Sequence, residues 1–329
     1  MQPSFALSRR DLLQRAAGTA LAAGLSTAAT PCVAALAAPK TTRCTVSCRD
    51  LVLKDVGKPD CWSAIQELGV GGVELALNDD LGCFNLFHPQ KQYTLGTPDG
   101  VKQLQDDLAA NHAVVTAVGF FNRGSEWRIK RDLAVSRQLV PVLQQMGVKV
   151  IRIDVQARKI TGEEFLPSAI QTCKQFCQIA EGTEVIFGVE NHSKNTNDPA
   201  FLGKLFEGVN SKHIGLTLDA NNFYWFGWPL RDVYRYYETF APRVVHTHCK
   251  SVSYPPSQRN VRRQPDKSYL QHSVPIYAGD IDYRRVAAIL HRANYQNDLC
   301  LENECLHHFP PQQHLGILKK EIALLKSLA

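Results

Sequence analysis

From Arg43 onward, short apolar runs alternate with longer segments whose apolar positions recur at helical spacing. "RCTVSCRDLVL" reads as a strand, "DCWSAIQELGV" as a helix and "GGVELAL" as the next strand. The helix "TPDGVKQLQDDLAANHA" leads into "VVTAVGFF", and "EWRIKRDLAVSRQLVPVLQQMGV" leads into "KVIRIDV". "GEEFLPSAIQTCKQFCQIAEG" precedes "EVIFGVEN", "DPAFLGKLFEGVNS" precedes "IGLTLDANN", and "PLRDVYRYYETFAP" precedes "VVHTHCKS". "DYRRVAAILHRANY" then introduces "LCLENE", and "HLGILKKEIALLKSLA" closes the chain. Apolar runs of this length suit strands covered on both faces, and the period of the intervening segments suits amphipathic helices.

Eight strands alternating with helices predict a parallel sheet. In roughly 290 residues this points to a single-domain α/β protein with a (β/α)8 TIM-barrel fold, for which about 250 residues is typical. A doubly wound open sheet would want a Gly-rich phosphate turn after its first strand, and the chain has none there. The only long interruption is "SYPPSQRNVRRQPDKSYLQHSVPIYAGD", an insertion at about 252–280 within a domain running over 38–329.

The first forty residues follow a different pattern. "SRRDLLQ" precedes an Ala-rich stretch, uncharged from Ala16 to Pro39, that contains Ala-Leu-Ala before Ala38. A basic start, an apolar middle and an A-x-A site predict a cleaved signal peptide over 1–37. Ser-Arg-Arg-x-Leu-Leu resembles the twin-arginine class and implies the twin-arginine export machinery as a partner. The expected location is periplasmic or secreted. A spanning anchor needs about 20 strongly apolar residues, and Thr, Ser, Gly and Pro interrupt this run, so no stable membrane anchor is expected. Pro31 before Cys32 speaks against a lipoprotein.

Composition adds little: 44% hydrophobic, 21% charged and a net charge of +6 with both signs interspersed. That balance gives no case for nucleic acid. Ten cysteines, less Cys32, leave an odd number in an exported chain. They read as small buried hydrophobes, with one or two disulfides as the alternative.

The polar residues at strand ends carry the chemistry. In a barrel those positions face the active site. Strands five to eight end in Glu190, Asp219, His248 and Glu302. Three carboxylates and one imidazole on one rim suit a divalent cation, with Mn, Mg, Co and Zn all compatible. Two histidines two apart in a strand share a face. His246 lies one pleat deeper than His248, so His248 is the expected ligand and His246 a packing or supporting group.

"GVENHSKNTNDPAFLGKLFEGV", "GLTLDANNF", "APRVVHTHCKS", "GDIDYRRVAAIL" and "LCLENE" resemble the xylose isomerase-like TIM barrels, most closely those of sugar phosphate isomerase/epimerase type. The resemblance is strong in the second half and slight in the first, where "GVELAL" carries it. It implies a Glu-Asp-His-Glu metal site matched by Glu190, Asp219, His248 and Glu302. It also implies that Glu190 and Glu302 are catalytic and shuttle a proton next to a carbonyl of a carbohydrate.

Further candidates surround these. His192, Asn222, Lys250, Glu74 and Arg152 are expected to bind substrate. For each a plainer role stands beside that one: a loop cap for His192, a solvated rim lysine for Lys250, an ion pair between Glu74 and Arg152. Asp154 ends strand four beside Arg152. Asn222 stands where some ketose epimerases carry a histidine, and Ser251 stands where an acidic residue follows the lysine. Tyr224, Trp225, Phe226 and Trp228 read either as sugar-stacking faces or as a hydrophobic loop, and Arg259, Arg262 and Arg263 as candidate anion ligands. "GDIDY" reads as a turn and helix N-cap.

Phosphorylated sugars are cytoplasmic intermediates, so an exported enzyme would act on a free sugar, a sugar acid or an oxidised glycoside. The leading expectation is an isomerase or epimerase. The alternatives are a lyase or hydrolase that cleaves a keto-sugar glycoside by elimination, and a non-catalytic carbohydrate-binding barrel. The DNA-repair endonuclease branch would want more histidine ligands and a basic face. A homo-oligomer is compatible with the sequence.

Overall fold

A computed structural model describes residues 44–120, 128–157, 160, 162–265 and 267–329, and those from 44 on belong to one compact unit. The leader read over 1–37 lies outside the described residues. Ten strands occur among them: β1 Thr45–Arg49, β2 Gly72–Leu77, β3 Val114–Phe120, β4 Val150–Ile153, β5 Ile186–Glu190, β6 Ile214–Asp219, β7 Val244–His248, β8 Ser251–Val252, β9 Ser273–Val274 and β10 Asp298–Leu301.

Eight of them form one parallel sheet in the order β10-β1-β2-β3-β4-β5-β6-β7. The sheet closes through main-chain bonds just beyond β7. Cys249 N donates to Cys300 O at 2.7 Å, and Glu302 N donates to Cys249 O at 3.0 Å. This is the (β/α)8 TIM barrel that the alternation predicts. All residues of β2, β4 and β6 are buried, as a parallel sheet with both faces covered requires.

Local signals start the helices. Asp60 Oδ1 accepts from Ser63 N at 2.9 Å, and Thr97 accepts from Gly100 N with Pro98 at the first helical position. Asp282 caps the helix Tyr283–Arg292 through Arg284 N at 2.9 Å, the role read for "GDIDY". Such caps typically stabilise by about 1 kcal/mol.

Two elements differ from the reading of the sequence. "DLVL" does not continue β1 but forms a 3-10 helix, Asp50–Val56. The buried Asp50 carboxylate accepts from Ala76 N at 2.7 Å and Asn85 Nδ2 at 2.9 Å, which turns the chain after Arg49. The segment after β7, read only as an insertion, carries two short strands among its described residues. β8 and β9 pair antiparallel, and Tyr254 N and Arg259 both bind Asp280 (2.8 and 3.1 Å) at the far end of the same segment.

The nine cysteines among the described residues are all free and buried. Burial pushes the Cys44 and Cys61 thiols up to about 11. They are packing residues, and the disulfide alternative is not realised there. No helix of the described residues is long and apolar enough to cross a membrane.

Candidate metal centre

β5, β6 and β7 end at Glu190, Asp219 and His248, and Glu302 directly follows β10. Parallel pairing sets Asp219 opposite His248. The four side chains are buried, and one ligand-type atom from each lies within 4.8 Å of the others. Asn191 holds two of these strand ends together. Its Oδ1 accepts from Asp219 N at 2.8 Å, and its Nδ2 donates to Asp219 O at 2.9 Å.

His248 is oriented from below. Its Nε2 donates to Glu74 Oε2 at 2.6 Å, while Nδ1 faces Glu190 Oε1 at 3.3 Å and Glu302 Oε2 at 3.2 Å. Burial alone would lower the basicity of this imidazole, but Glu302, Glu74 and Glu190 outweigh burial and raise it well above the ordinary histidine range. The Nε2 proton is tied to Glu74, so Nδ1, on giving up its proton, is the nitrogen available to a cation. A carboxylate behind a ligating histidine is the usual second partner of a metal-bound imidazole.

Each carboxylate is braced by cations or amides. Glu190 Oε2 accepts from Arg152 Nη1 at 2.8 Å, and its Oε1 accepts from Asn222 Nδ2 at 3.3 Å. Burial would raise Glu190, yet His192, His248 and Arg152 hold it well below the usual carboxylate range. Glu302 binds Arg49 through Oε1 and accepts from Lys250 Nζ at 2.9 Å through Oε2. Burial is again outweighed, by Lys250, His248 and Arg49, and Glu302 stays ionised.

Asp219 behaves differently. Its Oδ1 accepts from Asn221 N at 2.8 Å and Asn222 N at 3.1 Å. Its buried Oδ2 lies 2.9 Å from Lys250 Nζ but receives no hydrogen bond of acceptable geometry. Burial pushes Asp219 up to about 7; Lys250 opposes this, and Glu302 and Glu190 reinforce it.

This donor set fits a divalent cation. The His248 Nδ1 atom and oxygens of three carboxylates converge, and one of those oxygens, Asp219 Oδ2, lacks a donor. The buried acids Glu74, Glu190, Asp219 and Glu302 face Arg49, Arg152, Lys250 and the basic His248 imidazole. Buried charge needs pairing, and a divalent cation would take the place of the His248 Nδ1 proton.

The other predicted residues gather around this centre. Glu74 is not at the end of its strand but third of the six residues of β2. It points into the barrel, where Arg152 Nε donates to its Oε1 at 2.8 Å. Gly119 of β3 permits this, because a Cβ there would meet Arg152 Nη2 at 2.7 Å. His192 is half exposed, with Nδ1 3.1 Å from Asp154 Oδ1. Asn222 accepts from Trp225 Nε1 at 2.5 Å, and Lys250 also lies 3.4 Å from Glu304 Oε1. His246 is fully buried, with Nδ1 2.8 Å from Asp298 Oδ1 and Nε2 3.3 Å from Glu74 Oε2.

Sequence reasoning missed Arg49, the partner of both Glu302 and Glu74, and Glu304. The signal for Arg49 was present, since it is the last residue of β1. Of the insertion arginines, Arg259 pairs with Asp280, and Arg263 donates to Tyr224 O at 2.6 Å beneath the Tyr254 ring. Both are engaged within the protein. A cavity of about 580 Å³ lies at the opposite end of the barrel, lined by the strand starts Thr45, Val114, Val150 and Val244, an end associated with stability rather than chemistry.

No curated protein matches the chain in sequence. Among solved structures it is similar to the IOLI protein with a binding zinc atom (14% identity, covering 86% of this chain and 98% of that one, TM-score 0.63). It is also similar to 3-keto-D-glucoside 4-epimerase from E. coli (13% identity, 87% and 100% covered, TM-score 0.60). A third likeness is to the probable 3-DHS dehydratase of petrobactin synthesis from Bacillus anthracis (14% identity, 85% and 98% covered, TM-score 0.57). At such identities these likenesses establish the fold alone. The sequence model of the xylose isomerase-like TIM barrels matches residues 62–328, and the chain belongs to that family.

Proposed function

We propose that this protein is a metal-dependent carbohydrate isomerase or epimerase that removes a proton next to a carbonyl. The observation that carries the reading is the placement of two ionised carboxylates, Glu190 and Glu302, both beside His248 Nδ1 at 3.3 and 3.2 Å. Glu190, Asp219, His248 and Glu302 would hold one divalent ion. When bound, such an ion polarises the substrate carbonyl as a Lewis acid.

The chain's own residues do the rest. A carboxylate that stays ionised can accept a proton from carbon, and two on opposite sides can take it from one face and return it to the other. Arg152 and Asn222 fix the two oxygens of Glu190; Arg49 and Lys250 fix those of Glu302. Lys250 is also a buried ammonium beside the reacting position, suited to stabilise negative charge on a substrate oxygen. His192 stands half exposed at the mouth, where it can reach a substrate hydroxyl. Glu74 and Arg152 brace His248 and Glu190 from below.

The 3-keto-D-glucoside 4-epimerase of similar fold supports a keto-sugar as substrate class, and the zinc-containing neighbour supports a metal in this kind of barrel. Residues 1–37 are read as a cleaved twin-arginine leader, which would make the enzyme periplasmic or secreted; N-terminal sequencing of the exported protein checks this.

The deciding experiment incubates the protein with Mn and 3-keto-glucose or its methyl glycoside in deuterated water. Deuterium entering the sugar without bond cleavage is expected. Release of methanol would replace the epimerase by an eliminating lyase. Absence of both, alongside a metal-dependent melting shift with sugar, would leave a binding barrel.

A further inference from the structure

Beside the metal centre lies a second cleft, about 510 Å³, built by the loops after β5, β6 and β7. Those strands also supply Glu190, Asp219 and His248. Trp225, Phe226, Pro265 and Tyr269 form its apolar wall, with Lys194 and Arg262 as its charged lining residues. No carboxylate is among the described lining residues.

Two observations join this cleft to the metal centre. Trp225 Nε1 donates to Asn222 Oδ1 at 2.5 Å, and the same Asn222 side chain donates to Glu190 Oε1 at 3.3 Å. On the other side, the Tyr269 hydroxyl is raised by burial and by the charge of Glu304, with Lys250 opposing and Glu302 and Asp219 adding to it. Tyr269 therefore sits within the field of the metal-centre charges. A substrate seated between Glu190 and Glu302 would have this cleft as its neighbour.

Two of the wall's rings are paired. The Trp225 and Tyr269 rings stack with centroids 4.5 Å apart and planes 26° from parallel. Arg262 lies over Trp228, 4.2 Å from its centroid, and donates from Nη1 to Phe226 O at 3.0 Å. A stacked aromatic pair presents a flat face to a ring. Lys194 and Arg262 have no carboxylate partner among the described residues, and such cations favour a negative group on that ring.

We propose that this cleft is a second binding subsite for a planar aromatic ring bearing a carboxylate, so that the substrate is a two-part glycoside with an aromatic-acid aglycone rather than a free monosaccharide. The assignment of a sugar to the adjacent centre rests on the function proposed above; the cleft's own ligand chemistry does not.

The probe is 4-hydroxybenzoate, titrated into the full protein by calorimetry, with cyclohexanecarboxylate and 4-hydroxybenzyl alcohol as controls lacking the aromatic ring and the charge. 4-Hydroxybenzoate should bind at least fivefold more tightly than either control, the size expected for one ring contact or one exposed charge contact. Tyr269→Ala should remove the advantage over cyclohexanecarboxylate. Combining Lys194→Gln with Arg262→Gln should remove the advantage over the alcohol while leaving binding of the alcohol unchanged. Glu302→Gln should leave all three affinities within twofold. Equal affinity for 4-hydroxybenzoate and cyclohexanecarboxylate, absence of binding by any of the three, or insensitivity to Tyr269→Ala would overturn the subsite. Deuterium exchange without aryl binding would sink this inference alone, and aryl binding without exchange would sink the proposed reaction alone.

Discussion

Glu74 Oε2 accepts a hydrogen bond from His248 Nε2 at 2.6 Å, and both side chains are fully enclosed by the barrel. A residue of β2 therefore sets the orientation of a candidate ligand on β7, across the interior. Glu74→Gln keeps the volume but weakens the grip on the Nε2 proton and leaves Arg152 and Arg49 with less negative charge. Outer carboxylates of this kind are typically worth 10–100-fold in metal affinity. Calorimetric titration with Mn should show a loss of roughly tenfold for Glu74→Gln. An unchanged affinity in a folded variant would show that His248 is held some other way.

The two glutamates should separate from the rest of the site. General acid–base groups contribute typically about 10²–10⁴-fold. Glu190→Gln and Glu302→Gln should each slow solvent deuterium exchange into a keto-sugar by at least about 100-fold. Near-normal exchange in both variants, measured by NMR at saturating metal, would remove them from the proton path.

How much of this could be read beforehand depends on which strand property is considered. The barrel was legible because alternating β and α patterns survive in the chain: "IGLTLD" and "VIRI" are buried throughout as β6 and β4. Glu190, Asp219, His248 and Glu302 were legible because strand ends project to one rim. Glu74 was harder. It lies in the middle of β2, which runs on to Leu77, so the side chain faces the interior histidines and not the mouth. Arg49 was missed because a strand-terminal arginine signals a site only once its carboxylate partners, 25 and 253 residues away, are known to converge on it. The 3-10 turn at Asp50 depends on Ala76 N and Asn85, contacts that no local pattern displays.

Asn222 connects Glu190 to Trp225 through its two amide atoms. Asn222→Ala leaves the Trp225 N–H without its acceptor and frees one Glu190 oxygen, while every direct candidate ligand stays in place. Loss of one such buried hydrogen bond costs about 1–3 kcal/mol where it acts. The rate of deuterium exchange should fall roughly tenfold with Mn affinity within threefold of the parent. A drop in metal affinity as large as the drop in rate would instead make Asn222 a support of the metal centre.

Away from the site, the C-terminal helix Pro311–Lys326 carries a buried carboxyl whose titration should be visible in stability. Glu321 Oε1 accepts from Ile276 N at 2.9 Å and Oε2 meets Asn303 Nδ2 at 2.6 Å, tying the helix to the end of the insertion and to the loop after β10. Burial pushes Glu321 up to about 7, although both hydrogen bonds oppose it. Its folded value thus lies above its unfolded one, and between the two the native state holds more protons. Stability from this group is fully present below the unfolded value of about 4.5 and is lost as pH rises through about 7. At about 1.4 kcal/mol per pKa unit, the loss is on the order of 3 kcal/mol at most. Glu321→Gln fixes the neutral form. Thermal melts should find the variant no more stable than the parent at pH 5 and more stable at pH 8. If the two proteins keep a constant difference in melting temperature across that range, Glu321 does not titrate as its burial requires.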